Sequence, residues 1–152
     1  MESPEHLDKI FSLMAKEFIQ DDVGIVLGAA IGGILLSSGV AKHLNKKSIF
    51  TERVETNMEL RRGFEIKNNH RVLIVEDIVT TGGSIFELIE VVKQNNVEVV
   101  GVTSIADRST QEVDFGCNYK PLLRYPVESW DEDSIPPWLK EIPLTQRGRS
   151  GK

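Results

Sequence analysis

Two adjacent carboxylates, Glu76 and Asp77, follow an apolar run, VLIV at 72–75. An ionised carboxylate taken out of water is costly without a partner. A pair of them at the end of a buried strand therefore points to a ligand that offers hydroxyls or a cation. Ile78 and Val79 come next, then Thr80, Thr81, Gly82, Gly83 and Ser84. Glycines let a backbone turn its N–H groups inward, small hydroxyl side chains add donors, and a helix starting there adds a favourable dipole. Together these make a cradle for an anion such as phosphate. One short segment thus sets a diol or cation site beside a phosphate site, and a ribose 5-phosphate needs both. The alternative reading is a plain strand–turn–helix junction in which Thr80 only caps. The lysine of a Walker loop and the GxGxxG dinucleotide fingerprint are both absent, which argues against those two kinds of nucleotide site.

The stretch VLIVEDIVTTGGS, residues 72–84, resembles the 5-phosphoribosyl-1-pyrophosphate (PRPP) motif of the type I phosphoribosyltransferases. Its EDIVTTGGS form is most similar to that of the orotate phosphoribosyltransferases. The resemblance runs from about Pro4 to Gly148, with AAIGG at 29–33, LRRGFEIK at 60–67 and SIADRS at 104–109 in support. It implies that Glu76 and Asp77 hold the ribose 2- and 3-hydroxyls. Ile78, Val79, Thr80, Thr81, Gly82, Gly83 and Ser84 would bind the 5-phosphate. The glycine-rich turn at 28–33, through Ala30 and Ile31, would approach the pyrophosphate with its backbone. Thr80 and Arg108 match positions that contact the base. Arg53 matches an arginine near the pyrophosphate, reached from the partner subunit of a homodimer. Glu76, Asp77 and Arg53 are then the residues on which catalysis rests.

The implied reaction transfers ribose 5-phosphate from PRPP to orotate, giving orotidine 5-monophosphate and pyrophosphate, a step of pyrimidine synthesis. The implied cofactor is Mg2+, bridging pyrophosphate and ribose oxygens rather than held by a set of protein side chains. Arg108 fits a carboxylated base, because a guanidinium makes a forked contact with a carboxylate; it has no obvious purpose with an uncharged purine. The other reading of Arg108 is a surface arginine paired with Asp107.

Three departures from the family pattern stand out. A base-binding, serine-rich segment is expected before the first helix, and none precedes Leu7. Asn57 occupies a loop position where similar enzymes carry lysine, and it cannot bring positive charge to a leaving pyrophosphate. Arg61 and Arg62 are nearby and could substitute in part, or could belong to an ordinary strand pattern. The tail DSIPPW at 133–138 lacks a cysteine pair found in similar chains. These departures leave a second reading open: a shortened relative, weakly active or inactive, that binds PRPP or a nucleotide. Trp130 and Trp138 read as packing residues rather than base-stacking platforms.

These groups need a scaffold that brings two glycine-rich turns to one edge. Ser3 and Pro4 open a helix as N-cap and first position, and Leu7, Ile10, Phe11, Met14 and Phe18 recur on one face. A strand is expected at 23–27, a helix from the glycine turn to about Leu44, and a strand at 48–52. Residues 53–58 read as polar and irregular, 60–66 as an extended arm and 67–70 as a turn. The unbroken apolar run 72–75 suits a strand covered on both faces. A helix from about Gly83 presents Ile85, Leu88, Ile89 and Val92 and ends at Asn95 and Asn96. Strands follow at 97–105 and near 122–125. Alternation of strands and helices predicts an α/β fold with a mainly parallel, twisted sheet flanked by helices. Ligands in such sheets bind beyond the carboxyl ends of the strands.

The 152 residues suit a single domain, 1–152, with an irregular tail from about 126 packed on it. The formal net charge of -5 gives no sign of a nucleic-acid surface. One cysteine, Cys117, excludes an internal disulfide and fits a cytoplasmic location. No apolar run approaches the ~20 residues that span a bilayer, and the polar start MESPEHLDKI lacks a secretory pattern. His6, His43 and His70 are scattered and read as solvated.

Overall fold

The computed structural model describes residues 3–130 and 132–143. Along the chain the elements are α1 (Pro4–Lys16), β1 (Ile25–Ala29), α2 (Gly32–Leu44), β2 (Lys47–Val54), β3 (Asn57–Leu60), β4 (Arg71–Val79), α3 (Gly83–Gln94), β5 (Glu98–Asp107), β6 (Tyr119–Arg124) and α4 (Pro137–Lys140). The strands form one sheet in the order β3-β2-β1-β4-β5-β6. Neighbours are parallel throughout except for the antiparallel pair β2 and β3 at one edge. The mainly parallel α/β fold expected from the sequence is the fold observed.

The apolar runs of β1 and β4 are explained by what covers each face. Ile25, Leu27, Val72 and Ile74 point to the side where α3 contributes Ile85, Leu88, Ile89 and Val92. Val26, Leu73 and Val75 point to the other side, against Phe11 and Met14 of α1 and Leu36 and Val40 of α2. A two-residue period is present, but both of its phases are apolar. Each such side chain stabilises the fold by about 1.5–3 kcal/mol when fully buried.

The topology creates the crevice. From β1 the chain passes through α2 to β2 on one side; from β4 it passes through α3 to β5 on the other. Right-handed crossovers that run in opposite directions place their helices on opposite faces, which is how α2 and α3 are distributed. The strand order reverses between β1 and β4, and at such a point the loops beyond the carboxyl ends diverge and leave room for a ligand.

Several local expectations are corrected. The segment 53–58 is not irregular: β2 and β3 pair from Thr51 with Leu60 to Val54 with Asn57, around a tight turn at 55–56. Met58 is buried while Asn57 and Glu59 are exposed, so an alternating strand pattern is present but short. The expected extended arm at 60–66 is interrupted by a turn at 62–63, where Arg62 and Gly63 are both at positive φ. β4 does not stop at Val75 but runs to Val79, so Glu76 and Asp77 lie within the strand. The first strand begins at Ile25 rather than Val23. Ser3 precedes Pro4 in extended conformation as expected of an N-cap, although its side chain makes no capping bond. Phe18 is fully buried, beyond the end of α1.

After β6 the backbone stays tied to the sheet edge, Tyr125 N–H donating to Asp107 O and Val127 N–H to Arg108 O. A 3-10 turn at Glu132–Ser134 and the short α4 follow. The rest of the expected tail, 144–152, lies outside the described residues. No helix among the described residues is long and apolar enough to cross a membrane.

Candidate active site

β4 keeps β1 as a neighbour only as far as the pair Gly28 with Val75, but stays paired with β5 up to Val79 with Asp107. Glu76 to Val79 therefore run on along β5 alone, and the side vacated by β1 is taken by the turn that leads into α2. Gly28 makes that turn possible. A Cβ on it would lie 2.2 Å from Gly33 O, so any side chain would push the turn off β1. Ala30 N–H donates to Thr51 O of β2, and the Ala30–Ile31 peptide is cis. The turn lies close to the acids: a Cβ on Gly32 would come 2.7 Å from Asp77 Oδ2.

Both carboxylates are oriented by the next residue's backbone. Glu76, 8% exposed, accepts the Asp77 N–H at Oε1 over 3.0 Å. Asp77 accepts the Ile78 N–H at Oδ1 over 2.7 Å. The chain then turns through Thr80 and Thr81 into α3. Gly82 is the N-cap at φ 79°, a left-handed conformation that glycine adopts without steric cost. No side chain caps this helix. Thr80 is not a capping residue, and the first-turn N–H groups are left for an anion.

Three clefts share walls in sequence. One of about 420 Å³ is lined by Ala30, Ile31, Gly32, Glu76, Asp77 and Ser84, among others. The next, about 210 Å³, takes in Glu76 and Thr80 to Ser84. The third, about 490 Å³, is lined by Thr80, Thr81, Arg108, Ser109, Thr110 and Val127 to Trp130. Glu76 and Ser84 belong to the first two, Thr80 and Thr81 to the last two. The arrangement offers a backbone-lined compartment beside two acids, then an anion cradle, then a compartment with an arginine.

Arg108 is half-buried and not paired with Asp107. The Asp107 carboxylate, fully buried, instead accepts the Ser109 N–H (2.9 Å) and Oγ–H (2.5 Å) at Oδ1 and faces Arg124 Nη2 at 3.1 Å through Oδ2. Burial pushes the Asp107 carboxyl up, but the Ser109 bonds and the Arg124 charge outweigh it and hold it below the ordinary range. A folded pKa below the unfolded one means stability that is complete above the unfolded value and is lost as pH falls through the folded value. Asp107→Asn is accordingly expected to cost roughly 1–3 kcal/mol at neutral pH. Thermal unfolding followed from pH 7 to pH 3 should show the two proteins converging at the acid end; a constant gap would contradict the assignment.

Other predicted residues fall elsewhere. Arg53 donates through Nη2 to Glu87 of α3 at 2.6 Å and through Nη1 to Thr56 O at 2.9 Å, and it lines none of the three clefts. Asn57 lines a fourth recess between the hairpin and α3, with Glu87 and Glu90, which shares Met58 with the first cleft and Glu87 with the second. Arg62 makes a forked contact with Glu52, at 3.1 Å and 2.8 Å. His43 is not simply solvated: its Nε2 lies 3.1 Å from Asp8, which also pairs with Lys42. His70 Nδ1 accepts the Lys67 N–H. The Cys117 thiol is pushed up by burial and by Asp114. Among the described residues no three His, Cys, Asp or Glu side chains are grouped to hold a metal.

The model of the phosphoribosyl transferase domain family matches residues 2–133. The chain belongs to that family. Curated relatives named orotate phosphoribosyltransferase include one from Caldicellulosiruptor bescii, 40% identical over all of this chain and 80% of the relative. Another, from Thermotoga maritima, is 42% identical over 99% of this chain and 80% of its own length. Among solved structures the fold is shared with adenine phosphoribosyltransferase from Rhodothermus marinus (TM-score 0.70, 20% identity, 80% of this chain and 81% of that one). It is also shared with Mycobacterium tuberculosis orotate phosphoribosyltransferase in complex with inorganic phosphate (TM-score 0.68, 24% identity, 81% and 72%).

Within this family member the sequence pointed to Glu76, Asp77, Thr80 to Ser84, Ala30, Ile31 and Arg108, and the fold gathers all of them at one edge. It did not point to Ser109, Thr110 and the segment 127–130. That segment reaches the third cleft through its backbone bond to Arg108 O, and a main-chain contact across the sheet edge leaves no mark in residue type.

Proposed function

We propose that the protein is an orotate phosphoribosyltransferase, forming orotidine 5-monophosphate and pyrophosphate from PRPP and orotate. The observation that carries this reading is the succession of three adjoining compartments, matching a pyrophosphate, a ribose 5-phosphate and a carboxylated base in the order PRPP and orotate require. The curated relatives of that name support it.

In this reading the backbone at 30–32 receives the pyrophosphate, Glu76 and Asp77 accept hydrogen bonds from the ribose hydroxyls, and Thr80 to Ser84 with the start of α3 hold the 5-phosphate. Loss of pyrophosphate from C1 leaves positive charge on the ribose ring, and two fixed carboxylates beneath it stabilise that charge without reorganisation. Holding base and ribose in adjoining compartments converts an encounter between molecules into a step within one complex. Thr80, shared by the cradle and the base compartment, fixes their relation. Arg108 orients the base through its carboxylate.

Carboxylate oxygens are the donors a hard cation prefers, so Asp77, against the pyrophosphate turn, fits a magnesium ion held mainly by substrate. The ion supplies neutralisation of charge on the departing pyrophosphate. Arg53 lines none of the three clefts of its own chain, although its partner Glu87 borders the middle one, and its action on the site of a partner subunit in a homodimer is part of the same proposal. A single domain and a cytoplasmic location belong to the same proposal.

Arg108→Ala is expected to raise KM for orotate about 10–100-fold, the equivalent of one charge-assisted contact. KM for PRPP should be nearly unchanged, and Arg108→Lys should recover only part of the loss because it cannot make the forked contact. Steady-state kinetics with each substrate varied in turn would decide; a KM rise for PRPP alone would move Arg108 out of the base compartment.

A further inference from the structure

We propose that the C-terminal segment walls the base compartment and that Trp130 supplies its stacking surface, an extension that rests on the orotate reading above. The cleft holding Thr80, Thr81 and Arg108 is completed by Val127, Glu128, Ser129 and Trp130. The segment is anchored there: Tyr125 N–H donates to Asp107 O over 2.7 Å and Val127 N–H to Arg108 O over 3.1 Å, so it follows the residue that should orient the base. Trp130 lies three residues beyond the second anchor. Its ring packs edge-on against Trp138, centroids 6.1 Å apart and planes at 89°, and remains 38% exposed. Trp138 is 63% exposed, so the pair is no core cluster. A perpendicular neighbour fixes the orientation of the Trp130 indole. A planar base carrying a carboxylate needs two things from a pocket, a cation for the carboxylate and an apolar face for the ring. Arg108 is the first, and among the described residues Trp130 is the one aromatic residue lining this cleft.

The test uses the full-length protein with Trp130→Ala, Trp130→Phe and Trp138→Phe. Trp130→Ala should raise KM for orotate about tenfold, as loss of one ring-on-base stack does, with KM for PRPP within about twofold and Trp130→Phe recovering most of the loss. The chain has two tryptophans, so Trp138→Phe leaves Trp130 as the sole indole; its emission, corrected for absorption, should be quenched saturably by orotidine 5-monophosphate and not by pyrophosphate. A wild-type protein that turns over orotate, with Trp130→Ala indistinguishable from it and Trp130 emission unmoved by orotidine 5-monophosphate, overturns the proposal alone. A wild-type protein that does not turn over orotate overturns the orotate reading and this extension together.

Discussion

Glu76→Gln combined with Asp77→Asn should lower kcat/KM for PRPP by about three orders of magnitude while leaving the fold intact. A hydrogen bond to a charged group is worth about 1.5–3 kcal/mol, and two such groups beneath a ribose that becomes cationic give on the order of 10³ in rate. The substitutions keep the side-chain oxygens that accept the Asp77 and Ile78 N–H groups, so these backbone bonds survive while the charge is lost. The two effects should not add, because both carboxylates act on one ring. Circular dichroism and unfolding midpoints close to wild type would establish an intact fold; steady-state rates at saturating orotate give the loss. A double variant within about tenfold of wild type would mean that the charge under the ribose is not what lowers the barrier.

The second large effect is expected at the cradle. Gly82→Ala places a Cβ where φ is 79° and where it would meet Phe115 Cε1 at 2.7 Å and Val113 Cγ1 at 3.0 Å. The left-handed backbone costs an alanine about 1–2 kcal/mol, and the clash with packed side chains a further 1–3 kcal/mol. Relief requires the entry to α3 to shift, and its N–H groups move with it, so PRPP affinity should fall by far more than stability alone explains. Gly83→Ala is the control, since its added Cβ would meet only Thr81 Oγ1, at 3.7 Å. Urea unfolding and the thermal shift induced by PRPP separate the two variants. Equal behaviour would contradict the view that Gly82 shapes the cradle.

How much of this was legible in the sequence depended on whether residue type alone carried the signal. The apolar runs of β1 and β4 were readable because both of their faces are buried, and Ile85, Leu88, Ile89 and Val92 because helical spacing places them on one side of α3. The acids and the TTGGS turn were readable because carboxylates and glycines at a strand end have few structural uses. The length of β4 was hidden by those same acids: the apolar run stops at Val75, whereas the pairing with β5 continues to Val79. The β2–β3 hairpin was hidden because its turn uses Glu55 at φ 53° and Thr56 rather than the Asn–Gly pair that marks tight hairpins. Asp107 looked like a surface partner for Arg108, its neighbour in sequence. In a strand, successive side chains leave on opposite faces, and Asp107 is instead paired with Arg124 of β6 and with Ser109.

The hairpin also changes what Asn57 means. It is held opposite Val54 at the start of β3 and lines a recess whose wall includes Met58, which also lines the cleft of Glu76 and Asp77. A lysine there would stand one residue from the wall of the compartment assigned to pyrophosphate.

The central claim is that the three adjoining compartments bind PRPP and orotate for reaction. The direct measurement is the fall in orotate absorbance on mixing the protein with PRPP, magnesium and orotate, with orotidine 5-monophosphate quantified in the same sample. Saturable orotate consumption matched mole for mole by orotidine 5-monophosphate is the expected result. Consumption at background, with PRPP still raising the unfolding temperature, would contradict it and leave a protein that binds the phosphoribosyl group without transferring it.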